Sequence, residues 1–397
     1  MTAETILRLA ARGDGVTASG RYAALAAPGD LLEADGRLVP GPHHIDPACQ
    51  YFPKCGGCQL QHVDDDSLAH FLVDRIASAL EAHGLRDVPI RPPHLSPAHS
   101  RRRVSLRAER RGRQILLGFN EAKSNRLVDL GDCPVMHPSL AALLRPLRGL
   151  LGHLIPDRRG AQVRMTVADQ GVDLLLSGVT AEGLAAADAL TRFADNARLA
   201  RLSIDEGYGP AARWEPEPVT ITLGGVAVAL PEGAFLQATQ DGEHALVAAV
   251  QQGVGAASHV ADLFAGLGTF AFAAPGHVLA VEGARDAILA LQMAANRAGR
   301  HIRTEHRDLF RRPLAPPELA KFDALILDPP RAGAKEQVTE IAASAVPKLV
   351  YVSCNPATFA RDAALLVQGG YQIAWIQPVG QFRWSTHVEL AAAFYRP

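Results

Sequence analysis

A short apolar strand that runs straight into a glycine-rich turn, DLFAGLGTF at residues 262–270, constrains this chain more than any other stretch. Gly266, Gly268 and Ala271 satisfy the G-x-G-x-x-G/A nucleotide fingerprint, and Glu282 lies where the next strand should end. A carboxylate there can accept hydrogen bonds from both hydroxyls of a ribose. Around the turn the pattern is regular: helix over 240–252, strands over 259–264 and 277–282, helix over 284–299, strands over 321–327 and 348–353, and two late strands near 371–376 and 387–395. Strands alternating with helices predict a doubly wound parallel sheet that binds its ligand at the carboxyl ends of the strands, with the late pair as an antiparallel edge hairpin. Either NAD or S-adenosylmethionine suits this geometry.

Two more stretches belong at strand ends of the same sheet. LILDPPRAG, residues 325–333, sets Asp328 and two rigid prolines where a planar base can dock, with Arg331 in reach of a phosphate. A dehydrogenase has no evident use for this; nucleic-acid base methyltransferases do. YVSCNPATFARD, residues 351–362, places Cys354 between a strand and a helix, with Asn355 as N-cap and Pro356 as the first helical residue. A helix N-terminus carries partial positive charge, so the pKa of Cys354 is expected to fall toward neutrality. On its own, a cysteine at a strand end is more often small and buried than nucleophilic.

The other four cysteines narrow that choice. Cys49, Cys55 and Cys58 crowd into CQYFPKCGGC, and Cys133 lies in another tight turn, GDCPVMHP. Four thiolates converging on one centre fit a zinc ion or an iron–sulfur cluster, and spacing alone does not decide between them. An odd count of five with this crowding argues against a secreted disulfide framework. No apolar run reaches the roughly 18 residues of a membrane span, and the opening MTAETILRLAARGDG has no signal-peptide core, so a cytoplasmic protein is expected.

The formal net charge is -1, so nucleic-acid binding has to come from local clustering. The best cluster is RRRVSLRAERRGR, 101–113, with seven arginines and one glutamate on an expected strand whose Val104, Leu106 and Ala108 face inward. A solvated strand face is the usual fate of such runs; here an RNA backbone contact is the alternative. Residues 67–84 read as an amphipathic helix, and 138–230 alternate helices with strands.

Taken together, CQYFPKCGGC, Cys133, FLQAT, DLFAGLGTF, LDPPRAG, VSCNP and THVE resemble, in order and spacing, the S-adenosylmethionine-dependent RNA 5-methyluridine methyltransferases of ribosomal and transfer RNA. The likeness spans most of the chain. It implies an α/β protein: a C-terminal Rossmann-like class I methyltransferase sheet over 236–397, a central α/β domain over 46–235, and a small N-terminal β module over 1–45. That module resembles the front of a TRAM domain, an OB-like RNA-binding barrel, although it stops sooner. The family further implies a [4Fe–4S] cluster on Cys49, Cys55, Cys58 and Cys133, with Cys354 as nucleophile and Glu389 as general base, its pKa raised if it is buried. Gln237, Phe264, Glu282, Asp308 and Asp328, with Gly266 of the fingerprint, fall where the cofactor is held. Two positions depart from the family pattern: Thr239 replaces a frequent asparagine, and QFRWS before THVE lacks the usual proline character. The expected reaction is methyl transfer to carbon 5 of one RNA uridine by a monomer, on 23S ribosomal RNA ahead of transfer RNA because cluster and TRAM-like start occur together. A non-catalytic, metal-containing RNA-binding protein is the competing class, and it leaves Cys354, Asp328 and Glu389 without a role.

Overall fold

The computed structural model describes residues 2–397, and sheets of five, six and eight strands organise it, with one separate hairpin. The first sheet is antiparallel throughout, with Glu4–Leu9 at its centre between Gly15–Thr17 and Leu31–Leu32. Among the described residues its own core is Ile6, Ala26 and Leu32, with Ala23 and Leu38 packed against them, too little apolar area to hold a module alone. Asp30 reinforces it: fully buried, it accepts from the Ala27 and Gly41 N–H groups, each at 2.7 Å, and pairs with His44 at 2.8 Å.

The second sheet runs Pro210–Trp214, Leu199–Asp205, Gly171–Ser177, Gly160–Ala168, Arg103–Arg111, Gln114–Gly118. Along Arg103–Arg111 burial alternates: Val104, Leu106 and Ala108 point into the core and Ser105 and Arg107 to solvent, the period-2 pattern of a half-covered strand. Helices Leu144–Leu154 and Gly183–Asn196 cover the buried face.

The third sheet carries the fingerprint. Its order is Ile302–His306, His277–Glu282, His259–Leu263, Ala324–Leu327, Lys348–Ser353, Glu389–Tyr395, Gln372–Gly380, His94–Leu95. The first five strands are parallel to one another, and Glu389–Tyr395 enters antiparallel. Alternate residues feed two cores, Leu325 and Leu327 to one face and Ala324 and Ile326 to the other. This double burial is why these strands read as continuous apolar runs. Helix Gln240–Val254 packs on one face and helix Pro356–Gln368 on the other.

Three details differ from the sequence reading. The late hairpin is antiparallel as expected but is not the edge, because His94–Leu95 pairs beyond it. Helix Asp65–Glu81, capped by Asp64 accepting from Ser67 N–H at 2.9 Å, lies against helix Pro356–Gln368. The chain from 65 to 95 therefore contributes to the same layer as 236–397. At the opposite edge, strand Ile302–His306 was not anticipated.

Arg102 locks the second and third sheets together. Its guanidinium is buried, donating to the Glu243 carboxylate on helix Gln240–Val254 and to the Gln237 carbonyl at 3.1 Å. Removing one partner leaves an uncompensated buried charge, so Arg102→Met is expected to cost about 3–5 kcal/mol. Urea denaturation of the two proteins checks this; a midpoint unchanged from the parent would contradict it.

Candidate active site

The turn after His259–Leu263 is held open by backbone geometry. Phe264 adopts φ +65° and Gly268 φ +93°; a Cβ on Gly268 would come within 2.9 Å of the Phe272 ring. A bulky residue in the left-handed region is a local strain that the surroundings must impose. Glu282 imposes part of it, accepting from Gly266 N–H at 2.9 Å and Ala284 N–H at 2.6 Å. Its remaining lone pairs are free for ribose hydroxyls. Asp308, exposed just past the Ile302–His306 strand, accepts from Phe310 N–H at 3.0 Å. The Phe264 and Phe310 rings lie 5.3 Å apart and Phe310 is open to solvent, forming an aromatic wall for a flat ring.

Negative charge dominates the strand ends. Asp262 is fully buried, neither of its oxygens has a hydrogen-bond partner among the described residues, and burial pushes it up to about 7. Asp328 is raised well above the usual carboxylate range by burial and by repulsion from Glu389, Asp262 and Glu282. A cationic ligand relieves this crowding; the two phosphates of a dinucleotide would aggravate it. The residues therefore fit S-adenosylmethionine, which carries a sulfonium and an ammonium, better than NAD.

Cys354 follows strand Lys348–Ser353 and is half-buried. The cap is as expected: Asn355 accepts from Ala357 N–H at 3.2 Å, and Pro356 opens the helix. Asn355 also donates to the Arg331 carbonyl at 3.1 Å, as does Thr358 at 3.2 Å, so the DPPRAG loop is strapped to this helix. The thiol pKa does not follow the expectation. Burial and the charges of Glu389 and Asp328 push it up from its ordinary value, and Arg331 offsets them only partly. A helix end supplies about half a charge, which burial and the two carboxylates together outweigh.

Glu389 opens the strand that pairs with the cysteine's own. Ser353 lies opposite Leu390, and the antiparallel register carried one step further sets Cys354 opposite Glu389. The carboxylate is 5% exposed, and burial raises it to about 7 against the lowering effects of Gln381 and Arg103. Gln381 was not singled out in the sequence. Buried at 2% exposure, it donates to Glu389 and to the Gln237 Oε1 at 2.7 Å, and accepts from Ala238 N–H at 2.8 Å. FLQAT and the segment before THVE are thus joined through one amide.

Cys49, Cys55, Cys58 and Cys133 line one cavity of about 190 Å³, together with Phe52, Phe119 and Arg101. Burial, then repulsion between the thiols, pushes Cys58 up to about 12 and raises Cys55 and Cys133. A soft positive centre would reverse that by stabilising thiolates. Among the described residues no three His, Cys, Asp or Glu side chains close around a point as ligands of a single ion do. As a donor set, four thiols on one cavity suit a zinc ion or an iron–sulfur cluster alike. The Gln59 and Leu60 N–H groups donate to the Trp384 carbonyl at 2.8 and 2.9 Å, so the cysteine loop braces the segment leading to Glu389.

The arginine patch is largely consumed. Arg102 is buried, Arg101 lies 5.1 Å over Phe382 and Arg103 4.6 Å over Phe235, and Arg110 donates to the Gly152 and Ile155 carbonyls. No helix among the described residues is long and apolar enough to cross a membrane.

A doubly wound sheet with buried carboxylates at its strand ends fits an S-adenosylmethionine-dependent methyltransferase, and comparison with known proteins narrows the class. The tRNA (uracil-5-)-methyltransferase family matches residues 285–396. An uncharacterised RNA methyltransferase of Zymomonas mobilis is 51% identical over 98% of both chains. The 23S rRNA (uracil(1939)-C(5))-methyltransferase RlmD of Aeromonas hydrophila is 30% identical, covering 90% of this chain and 84% of its own. The Pyrococcus abyssi tRNA (uracil-54, C5)-methyltransferase, solved with S-adenosyl-L-homocysteine, superposes with a TM-score of 0.74 at 22% identity, over 99% of this chain and 100% of the other. The chain belongs to the RNA uracil-C5 methyltransferase family.

Because its thiol is raised, Cys354 should react slowly with iodoacetamide at neutral pH, with a rate still climbing above pH 9. Glu389→Gln removes a negative neighbour, lowers the thiol pKa and should speed the reaction near pH 8. Peptide mass spectrometry reads both; full reactivity at pH 6 in the parent would contradict the assignment.

Proposed function

We propose that the enzyme methylates carbon 5 of one uridine in 23S ribosomal RNA through a transient bond from Cys354 to carbon 6. The strand register that ends at Ser353 opposite Leu390, and so brings Cys354 and the buried Glu389 close together, is the observation that supports the reading. The 23S target rests on the likeness to RlmD.

Carbon 5 of uracil is too weak a nucleophile to accept a methyl group unaided. Addition of the Cys354 thiolate to carbon 6 turns the ring into an enolate whose carbon 5 is electron-rich. When bound, S-adenosylmethionine supplies an electrophilic methyl group and a positive charge that offsets Asp328 and Glu389. Gln237, Phe264, Gly266, Glu282, Asp308 and Asp328 would hold it. After transfer, Glu389 takes the proton from carbon 5 and Cys354 leaves, restoring the aromatic ring. A carboxylate near 7 is matched to that task at neutral pH. The thiol serves better than a hydroxyl because its anion is both accessible and a tolerable leaving group. The target base has to be unstacked to reach Cys354, which costs least in a single-stranded loop. The N-terminal sheet and the arginines left on the Arg103–Arg111 strand would hold flanking backbone. Cys49, Cys55, Cys58 and Cys133 would hold a [4Fe–4S] cluster on the loop whose Gln59 and Leu60 N–H groups brace the Trp384 carbonyl.

In a deletion strain, one methyluridine should be missing from 23S rRNA, restored by the parent gene and not by Cys354→Ala, whose cofactor affinity stays intact. Glu389→Gln should lower turnover roughly 10²–10⁴-fold and accumulate a covalent RNA complex. RNA mass spectrometry and denaturing gels read these; a missing methyluridine in transfer RNA instead would redirect the target, and turnover by Cys354→Ala would refute the mechanism. Protein purified without air should contain iron and sulfide in equal amounts, bound through the four cysteines. A zinc-only protein would refute the cluster.

A further inference from the structure

Gln381 occupies a position that neither the fingerprint nor the thiol chemistry requires, and its contacts fix its orientation. Its Oε1 faces two donors, Ala238 N–H at 2.8 Å and Thr239 N–H at 3.4 Å. A flipped amide would set donor against donor at that end and oxygen against oxygen at the other. The NH₂ group is therefore committed to the Gln237 Oε1, at 2.7 Å, and to the Glu389 carboxylate. The space around it is filled: a Cβ on Gly242 would come 2.7 Å from the Gln381 Cβ, so helix Gln240–Val254 packs directly against it.

We propose that Gln381 is a positioning residue for the base, holding the Glu389 carboxylate against the Cys354 loop as a proton acceptor. The inference rests on the reading of Glu389 as the base. The charged and titratable groups facing Glu389 are Arg103 on the neighbouring sheet, Cys354 on the paired strand end and Asp328 on the next. Arg103 and the Gln381 amide favour the ionised carboxylate, whereas burial opposes it. Without the amide N–H, Arg103 alone remains on the favourable side, and Glu389 becomes harder to ionise. The sign follows: a base is active when deprotonated, so raising its pKa moves the rising limb of the rate profile to higher pH.

Gln381→Met keeps the volume and removes the donor. Near neutral pH its kcat should fall roughly tenfold to a hundredfold, with the KM for S-adenosylmethionine changed only severalfold and covalent RNA complex accumulating. The rate relative to the parent should recover as pH rises. In a Glu389→Gln background, adding Gln381→Met should leave the rate of complex formation unchanged. Should Gln381→Met fail to fold, Gln381→Glu keeps the bond to Ala238 N–H, alters the end that faces Glu389 and Gln237 and should show the same alkaline displacement. A deficit equal at every pH, or slower complex formation in the Glu389→Gln background, would overturn the proposal and assign Gln381 to the cofactor pocket. Normal turnover by Glu389→Gln alone would overturn the base assignment itself, and this inference with it.

Discussion

Asp362 carries no exposed surface, and the two loops that matter most hang from it. Its carboxylate accepts from the Tyr351 hydroxyl at 2.7 Å and from Ala334 N–H at 2.9 Å, and it is paired with Arg361. A buried charge survives only when its lone pairs are met, and here the donors come from the strand before Cys354, the loop after Asp328 and the helix after Cys354. Satisfying one carboxylate thus fixes the DPPRAG loop relative to SCNP. The Arg331 carbonyl then receives Asn355 and Thr358, and Arg331 comes to face the thiol.

From that fixed point the site is completed by elements remote in sequence. The Glu389–Tyr395 strand brings Glu389 to the cysteine, and Gln381 joins Glu389 to Gln237. Three consecutive arginines reach three places: Arg101 into the cysteine cavity, Arg102 to Glu243 and the Gln237 carbonyl, and Arg103 toward Glu389 and Phe235. The cysteine loop holds the Trp384 carbonyl on the other side. The candidate site is a joint between the second and third sheets, and its electrostatics are set there: buried carboxylates crowd the strand ends, and they raise the thiol beside them.

The cofactor sheet was legible because its strands are buried on both faces and its chemistry lies in short loops just after them. Local pattern therefore revealed DLFAGLGTF, LILDPPRAG and YVSCNP. Strand Ile302–His306 was not legible: it lies at an edge, and alternating partly buried and exposed residues leave no apolar run. Gln381, Arg102 and Asp362 escaped for another reason. Arg102 is held by partners more than 130 residues away, and Gln381 ties such distant partners to the nearby Glu389; a lone glutamine, arginine or aspartate carries no signal of such pairing. The Cys354 shift runs against the expectation because the helix end is visible in the sequence, whereas the burial of the thiol and the packing of two carboxylates against it are not. The run of seven arginines looked like a contact surface, yet several of them hold the protein together.

The central claim is that Cys354 bonds to carbon 6 while Glu389 waits to remove the hydrogen at carbon 5. Replacing that hydrogen by fluorine leaves nothing a base can abstract as a proton, so the adduct persists. The decisive measurement is tandem mass spectrometry of the nuclease- and protease-digested complex of enzyme, S-adenosylmethionine and RNA carrying 5-fluorouridine at the target. The account predicts a peptide of YVSCNPATFAR carrying one methylated fluorouridine on Cys354. An adduct on another residue, or methylated RNA released with no adduct at all, would contradict it.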